Sequence, residues 1–418
     1  MAAPRYDALV VGAGPAGSVA ALVLARGGAR VALVDKARFP RDKACGDLVG
    51  PRGVRVLDDL GLTVHGPRLG DMEVVGPAGH RVLLPARDGL TYPGYGIAVS
   101  RRRLDEALRT AAVEAGAEAV VGRAGEACFD AQGRLAGFRV GSEGADRPLL
   151  ADAVIGADGA LSRVGAAAGL VDDARVLWGF AVRGYVATAP RLPEIHFWEP
   201  VAGHGYPGYG WWFPGEEGHR ANVGLGVGVP GDRRPGARAA RDLDAFLAAV
   251  GAGAVEERLG GWLKMGMVGT TPAAGRTLLV GDAAGLVNPL QGEGIAAALS
   301  SGRAAAEALL AAGPDGAAAR YRAALAASQA SYAAATAPIT AWMLRHPRAV
   351  SRLGRLLTVP RLSQAWAPAW ALYWNELLPG ASPGPGRGLA SVADRALGML
   401  AARGELGRSV RRSVTAHP

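Results

Sequence analysis

At 418 residues the chain exceeds one average domain, which predicts two units or one large unit carrying an insertion. Only two cysteines, Cys45 and Cys128, are present, which excludes a disulfide scaffold. A composition 50% hydrophobic and 20% charged excludes general disorder. The formal charge of +9 is concentrated: from Arg345 onward eleven arginines face Glu376, Asp394 and Glu405, so about +8 lies in the last 74 residues.

Residues 1–4 run straight into a strand-like stretch, without the charged start, apolar core and cleavage site of a signal peptide, so a cytoplasmic protein is expected. No window offers about 18 uninterrupted apolar residues, so no membrane-spanning helix is expected. Zinc spacing, a basic helix and an RNA-binding signature are all missing, so neither nucleic acid nor a metal is an expected partner.

The chain opens with a strand over 6–11, the turn GAGPAG at 12–17, a helix to about Gly27, and a second strand over 30–34 ending at Asp35. Among 62 glycines a G-x-G-x-x-G string recurs by chance, and it does so at 203–208 and 226–231. Only the first copy follows a strand, opens an Ala-rich helix and has an acidic residue about 20 positions on, as a dinucleotide site requires. Gly12 then makes the tight turn, Gly14 admits a pyrophosphate, Gly17 lets helix and strand pack closely, and Asp35 accepts from ribose hydroxyls.

A helix is predicted over 103–115. Strands are predicted over 151–157, ending at Asp158-Gly159, and over 277–280, ending at Gly281-Asp282; a long helix then starts near Gly294. Two stretches between these pieces, 65–98 and 175–270, alternate in β fashion with scattered aromatics and predict an inserted antiparallel sheet. The fold class is therefore α/β: a Rossmann-like nucleotide domain (1–64, 99–174 and 271–312), an inserted β-sheet substrate domain (65–98 and 175–270) and a helical, Arg-rich C-terminal region (313–418), broken by a linker at 381–388.

Two later segments convert the dinucleotide signal into a flavin signal. In VIGADGALSRV (154–164) a strand delivers Asp158 to a site edge. In GDAAGLVNPLQGEGIAAAL (281–299) Asp282 is placed to bond ribityl hydroxyls, and the helix beginning at 292–295 would stabilise negative charge on a reduced flavin. Tyr209, Trp211 and Phe213 alternate along a strand, so they share one face with Trp212 on the other. That face suits the wall of an apolar tunnel or an ordinary sheet core.

GAGPAG, ADGALSRV and GDAAGLVNPLQGEGI together resemble the FAD-binding set of the superfamily that contains para-hydroxybenzoate hydroxylase, flavin-dependent halogenases and geranylgeranyl reductases. FPRDKACGD (39–47) and PGYGWWFP (207–214) resemble the geranylgeranyl reductase branch, and AVRGYVAT (181–188) is similar to the actinobacterial menaquinone reductases within it. The resemblance implies FAD lying along Gly12, Gly14, Pro15, Ala16, Gly17, Asp35 and Lys36, with Arg101 near its phosphates and Asp158 at the site edge. It places Gly281, Asp282, Pro289, Gly292, Gly294 and Ile295 beside the ribityl chain and ring, and Cys45 and Gly46 at the isoalloxazine. Catalytic candidates are Cys45, whose thiol either donates a proton or simply packs, with Tyr209 and Trp211 beside the substrate.

The implied activity is reduction of isolated C=C bonds in a prenyl chain, with a hydrophobic small molecule or lipid such as a quinone as substrate. An NADPH- and O₂-dependent hydroxylase is the alternative enzyme, and a flavoprotein that binds FAD and lipid without turnover is the non-enzymatic one. Halogenation is disfavoured because no lysine lies between Lys43 and Lys264. No second nucleotide-binding βαβ is visible, so NADPH would bind transiently, or a reduced ferredoxin-like partner would supply electrons. Trp342, Trp366, Trp370 and Trp374, interspersed with arginines, read either as a surface resting on an anionic membrane or as core tryptophans beside a solvated Arg face.

Overall fold

The computed structural model describes residues 5–84, 93–142, 145–189, 191–197, 208–229 and 236–363. These fall into two compact units: residues 1–42, 101–176 and 264–333 form the first, and residues 43–100, 177–263 and 334–418 the second. Residues 43–64 thus group with the sheet unit and residues 264–270 with the nucleotide unit, the reverse of the expected boundaries. The tail after residue 363, with Trp366, Trp370, Trp374 and the linker at 381–388, lies outside the described residues.

In the first unit, strand Arg5–Val11, helix Pro15–Arg26 and strand Val31–Asp35 form the predicted βαβ opening. The sheet order is Ala273–Ala274, Thr277–Leu279, Ala145–Gly156, Arg5–Val11, Val31–Asp35, Glu118–Val121. Pairing is parallel from Thr277–Leu279 through to Glu118–Val121. Central strands of such a sheet bury both faces, which is why Ala8 to Val11 and Val31 to Val34 are continuous apolar runs. Strand Ala145–Gly156 also continues into an antiparallel meander with Leu135–Ser142 and Arg123–Phe129, the last holding Cys128. The helix expected over 103–115 runs Arg101–Glu114.

The long helix Ile295–Leu325 rests on helix Pro15–Arg26, and Gly302 makes that approach possible: a Cβ there would stand 2.1 Å from the Ala16 carbonyl oxygen. The helix is interrupted where Gly313 takes φ 64° before Pro314. The stretch Ile295–Gln329 is long and apolar enough to cross a membrane by length and composition, yet 61% of its most apolar window is buried within the chain.

In the second unit, seven strands run in the order Glu256–Met265, Leu177–Ala187, Arg220–Val229, Gly208–Pro214, Glu194–His196, Met72–Val75, Arg81–Leu84. The expectation of an antiparallel sheet needs one correction, because Glu194–His196 pairs in parallel with Met72–Val75. A second correction is helix Gly236–Ala249, inside a segment read as β. Its Leu243, Phe246 and Leu247 cover one face of the sheet, packing on Val182, Val186, Trp212, Val223 and Leu225. The string at 226–231 behaves as a chance match, since residues 226–229 lie within strand Arg220–Val229.

At the parallel pairing sits a buried charge cluster. Glu194 is 2% exposed, and its carboxylate meets His196 Nε2 at 2.7 Å, Arg81 Nη1 at 3.2 Å and Arg191 Nε at 3.4 Å. Burial acts to raise its pKa, but the hydrogen bonds from His196 and Arg81 and the charge of Arg191 outweigh it and hold the carboxyl below the ordinary glutamate range. A depressed folded-state pKa adds stability that is fully present above about pH 4.3 and is lost as the pH falls further. Glu194→Gln is therefore expected to cost about 1–3 kcal/mol near neutral pH and to make the acid limb of the stability curve shallower. Thermal unfolding as a function of pH checks this; an unchanged acid limb would contradict it.

Candidate functional site

The first unit builds an anion cradle at the start of helix Pro15–Arg26. Gly12 has φ +103°, and a Cβ there would lie 2.3 Å from the Ala157 carbonyl oxygen; one at Gly17 would lie 1.8 Å from the Gly12 carbonyl oxygen. The chain's own packing therefore dictates both glycines. Gly14 is different. A Cβ there would meet only Arg41 Nη2 at 3.6 Å and Arg101 Nη2 at 3.8 Å, and no side chain caps the helix at this N-cap position. Ala16 and Gly17 thus carry N–H groups without helical acceptors, facing a space bordered by two guanidinium groups.

Asp105, fully buried, holds both arginines. It accepts from Arg101 Nε and Nη2 at 2.8 and 2.7 Å, and Arg41 Nη1 stands 2.6 Å from its Oδ2. Two cations sharing one carboxylate leave net positive charge beside the positive end of a helix, the requirement of a diphosphate site. Arg101 was expected there; Arg41 was not singled out, although it lies within the FPRDKACGD string.

Asp35 reaches the same turn, but its carboxylate is engaged with the protein: Oδ2 accepts from Ala13 N at 2.8 Å and Oδ1 from Ala37 N at 2.9 Å. Each oxygen keeps a further lone pair for a ribose hydroxyl. Lys36 beside it is exposed, whereas Pro15 and Ala16 are buried.

Asp158 is used mainly by its own turn. Its carboxylate accepts from Ser162 Oγ at 2.5 Å, Arg163 N at 2.6 Å and Val164 N at 3.2 Å, capping the short helix Arg163–Ala167. Burial pushes its carboxyl pKa up despite those bonds. Next to it Gly159, at φ +82°, has open space where a Cβ would stand.

The late segment forms a short 3₁₀ turn, Gly281–Ala284, followed by the long helix capped at Gly294. Gly281 donates its N–H to Ser301 Oγ at 2.9 Å, and a Cβ at Gly294 would lie 3.5 Å from Asp282 Oδ1. Between them the Asn288 side chain accepts from Leu290 N and Gln291 N, closing the loop that carries Pro289 and Gly292. Glu293 accepts from Ala296 N at 2.7 Å in the first turn after Ile295. Lys264, 1% exposed, donates to the Ala283 carbonyl at 3.1 Å. Burial pushes its ammonium pKa down, and Asp173, Asp158 and Asp282 pull it back up. Spacing gave no hint of this lysine.

The turns at 12–17, 158–159 and 281–282 follow the carboxyl ends of three parallel strands of one sheet, where open α/β sheets bind ligands. A bare helix N-terminus, two guanidinium groups, acidic groups on the flanking turns and a glycine with room beside it fit an FAD.

The second unit builds a separate cluster around residues 45–47. Tyr209, Trp211 and Phe213 do share one face of their strand, with successive ring centroids 6.1 and 6.3 Å apart, while Trp212 lies in the core on the other face. A Cβ at Gly46 would stand 3.0 Å from the Phe213 ring and 3.5 Å from Trp211 Nε1, so the backbone at Gly46 packs directly against these aromatics. Cys45 is half-buried and outside any disulfide.

Beneath this segment runs a polar network that composition and spacing did not reveal. Trp211 Nε1 donates to Asn222 Oδ1 at 2.9 Å; Asn222 Nδ2 donates to the Cys45 carbonyl at 2.8 Å and to Asp47 Oδ2 at 2.9 Å; the Tyr185 hydroxyl donates to the same Oδ2. Asp47 is 5% exposed and sits at φ 57°, a left-handed conformation unusual outside glycine, while its carbonyl accepts from Val99 N at 2.8 Å. Arg183, buried completely, places its guanidinium 4.6 Å from the Tyr185 ring centroid and donates to the Glu257 carbonyl at 2.7 Å. Asp47 closes the FPRDKACGD string and Tyr185 lies within AVRGYVAT. Asn222 had no sequence signal. Among the described residues no group of three or more His, Cys, Asp or Glu side chains is arranged to hold a metal.

Residues 5–335 match the family described as FAD binding domain. The chain is 34% identical over 396 residues to a menaquinone reductase of Mycolicibacterium smegmatis, covering 87% of each protein. It is 37% identical over 316 residues to digeranylgeranylglycerophospholipid reductase 2 of Methanopyrus kandleri, covering 72% of this chain and 76% of the relative. Among solved structures, a geranylgeranyl bacteriochlorophyll reductase-like protein from Thermoplasma acidophilum superposes with a TM-score of 0.73 at 22% identity, over 88% of this chain and 96% of that one. Strand-end glycine turns, a basic helix N-terminus and these likenesses lead to one assignment: the chain belongs to the FAD-binding family and is an FAD-dependent oxidoreductase of the geranylgeranyl reductase type.

Proposed function

We propose that the chain saturates isolated C=C bonds of a prenyl chain, in an isoprenoid lipid or the tail of a menaquinone. The observation that carries this reading is the aromatic face of Tyr209, Trp211 and Phe213 packed on the backbone at Gly46, with Cys45 beside it. The likeness to a menaquinone reductase and to a digeranylgeranylglycerophospholipid reductase supports it.

When bound and reduced, FAD supplies a hydride from N5. An isolated alkene has no carbonyl to polarise, so the protein must contribute position and dryness rather than an electrophile. Tyr209, Trp211 and Phe213 supply apolar surface that orients a prenyl segment and excludes water. The alkene gains a hydride at one carbon and a proton at the other. Cys45, whose thiol is a weak donor, is the candidate proton source, and Asp47, Asn222 and Tyr185 act as positioning residues that fix the segment carrying it. In the first unit Arg41, Arg101 and the first turn of helix Pro15–Arg26 bind the diphosphate, and Asp35 and Asp282 bind hydroxyls. Two electrons return to the cofactor from NADPH or a reduced ferredoxin-like protein.

Anaerobic incubation of the reduced holoenzyme with a menaquinone, followed by mass spectrometry, tests the reaction. A gain of two hydrogens is expected; an added oxygen in air would establish a hydroxylase instead, and an unchanged lipid would leave a binding protein. Arg41→Ala is expected to weaken FAD binding about tenfold or more, the scale of one charge-assisted hydrogen bond, with partial recovery in Arg41→Lys. An unchanged FAD dissociation constant would remove Arg41 from the cradle. Asp47→Asn is expected to lower kcat for prenyl reduction about tenfold or more with FAD affinity unchanged, because a neutral amide oxygen accepts from Tyr185 and Asn222 more weakly than the carboxylate does and its NH2 replaces the second carboxylate oxygen. If FAD affinity and kcat fell together, or neither moved, the positioning role would be wrong.

A further inference from the structure

The last described helix, Pro347–Leu357, is held to the second unit along one side only. A Cβ at Gly354 would lie 3.6 Å from the Pro77 ring and 3.8 Å from Phe197, and the turn at Gly76 closes on Thr358, which is itself fully buried. The opposite side is exposed and divides into two adjoining stripes. Arg348, Arg352 and Arg355 recur at helical spacing on one, and Leu353 and Leu356, 49% and 56% exposed, lie on the other. In the segments on either side Trp342, Val359 and Leu362 are exposed as well. Arg345 and Arg361 extend the basic one, and no Asp or Glu occurs anywhere from 342 to 363.

Soluble surfaces intersperse both signs of charge and keep large apolar side chains apart, so this combination calls for a partner that is negative over an extended area and apolar beneath. A protein partner would answer such a face with discrete carboxylates and pockets. A pair of exposed leucines flanked by arginines, with an exposed tryptophan in the preceding helix, matches the depth profile of a lipid surface, where aliphatic side chains enter the acyl boundary and guanidinium groups stay among phosphates. We infer that the face formed by helix Pro347–Leu357 and its two flanks is a peripheral membrane-binding surface for anionic bilayers. This goes beyond the enzymatic reading and stands without it, because it rests on charge and exposure at a face that contains none of the candidate site residues.

The test is flotation of the full-length, FAD-loaded chain with vesicles of phosphatidylcholine alone or of phosphatidylcholine mixed with phosphatidylglycerol. Binding to the anionic vesicles only, weakening as salt rises, is the expected result. Arg348→Gln with Arg352→Gln should lower that binding about 25-fold, at about fivefold per cation, and Leu353→Asp with Leu356→Asp should abolish it. Flavin absorbance and the unfolding temperature of each variant should match the parent, which shows that the loss lies in the surface and not in the fold. The inference is overturned if the parent fails to float with anionic vesicles, if it binds neutral vesicles equally, or if the variants bind as the parent does. It is overturned equally if the leucine substitutions convert a dimer to a monomer in lipid-free solution, since the face would then join two copies of the chain.

Discussion

Two backbone contacts, Gly17 against the Gly12 carbonyl and Gly12 against the Ala157 carbonyl, fix the start of helix Pro15–Arg26 over the carboxyl edge of the parallel sheet. Once it is there, its first N–H groups have no side-chain cap among the described residues, which leaves them available to a ligand. Asp105 then gathers Arg41 and Arg101 around the same opening rather than neutralising one arginine alone. Positive dipole and positive side chains thus accumulate at one point, an arrangement that favours a ligand anion there. The turns at 158–159 and 281–282 follow strands of the same sheet, so their distance from that point is set by strand register and not by loop flexibility.

In the second unit the alternation of a β-strand separates two chemistries. Along Arg220–Val229, Ala221, Val223 and Leu225 enter the core beneath helix Gly236–Ala249, and Asn222 and Gly224 face the other way. On that other side, strands Leu177–Ala187 and Gly208–Pro214 contribute Tyr185 and Trp211. A Cβ at Gly224 would strike the Trp211 ring at 2.1 Å, so this glycine gives the indole its seat. Buried polar groups are costly unless every partner is supplied, and here Asp47, Asn222, Tyr185 and Trp211 supply one another. Such a network tolerates few alternative placements of residues 45–47, which is what a thiol and a backbone glycine need if they are to meet a substrate reproducibly.

The parts of this arrangement that local sequence could reveal are those made by neighbours in the chain. Strand, glycine turn and helix at residues 5–26 announce themselves by periodicity, and the alternation of Tyr209, Trp211 and Phe213 gave their common face directly. What stayed hidden depends on partners far apart. Asn222 meets Asp47 across 175 positions, and Lys264 finds the Ala283 carbonyl only because the chain returns to the first sheet there. Asp158 looked like a ligand-facing carboxylate, yet a helix too short to be read from its five residues consumes most of its hydrogen-bonding capacity. Helix Gly236–Ala249 was obscured by the Gly- and aromatic-rich strands before it, and the parallel pairing of Glu194–His196 with Met72–Val75 joins segments more than 100 residues apart, beyond any local pattern.

The claim on which the account rests is that the glycine turn, Arg41 and Arg101 recognise a diphosphate, and flavin selectivity measures it most directly. Calorimetric titration of the apoprotein with FAD, FMN and riboflavin should give tight binding for FAD, binding weaker by at least about two orders of magnitude for riboflavin, and an intermediate value for FMN, in proportion to the phosphates each brings to the cradle. Equal affinities for FAD and riboflavin would contradict it, because the basic helix terminus would then have no part in holding the cofactor.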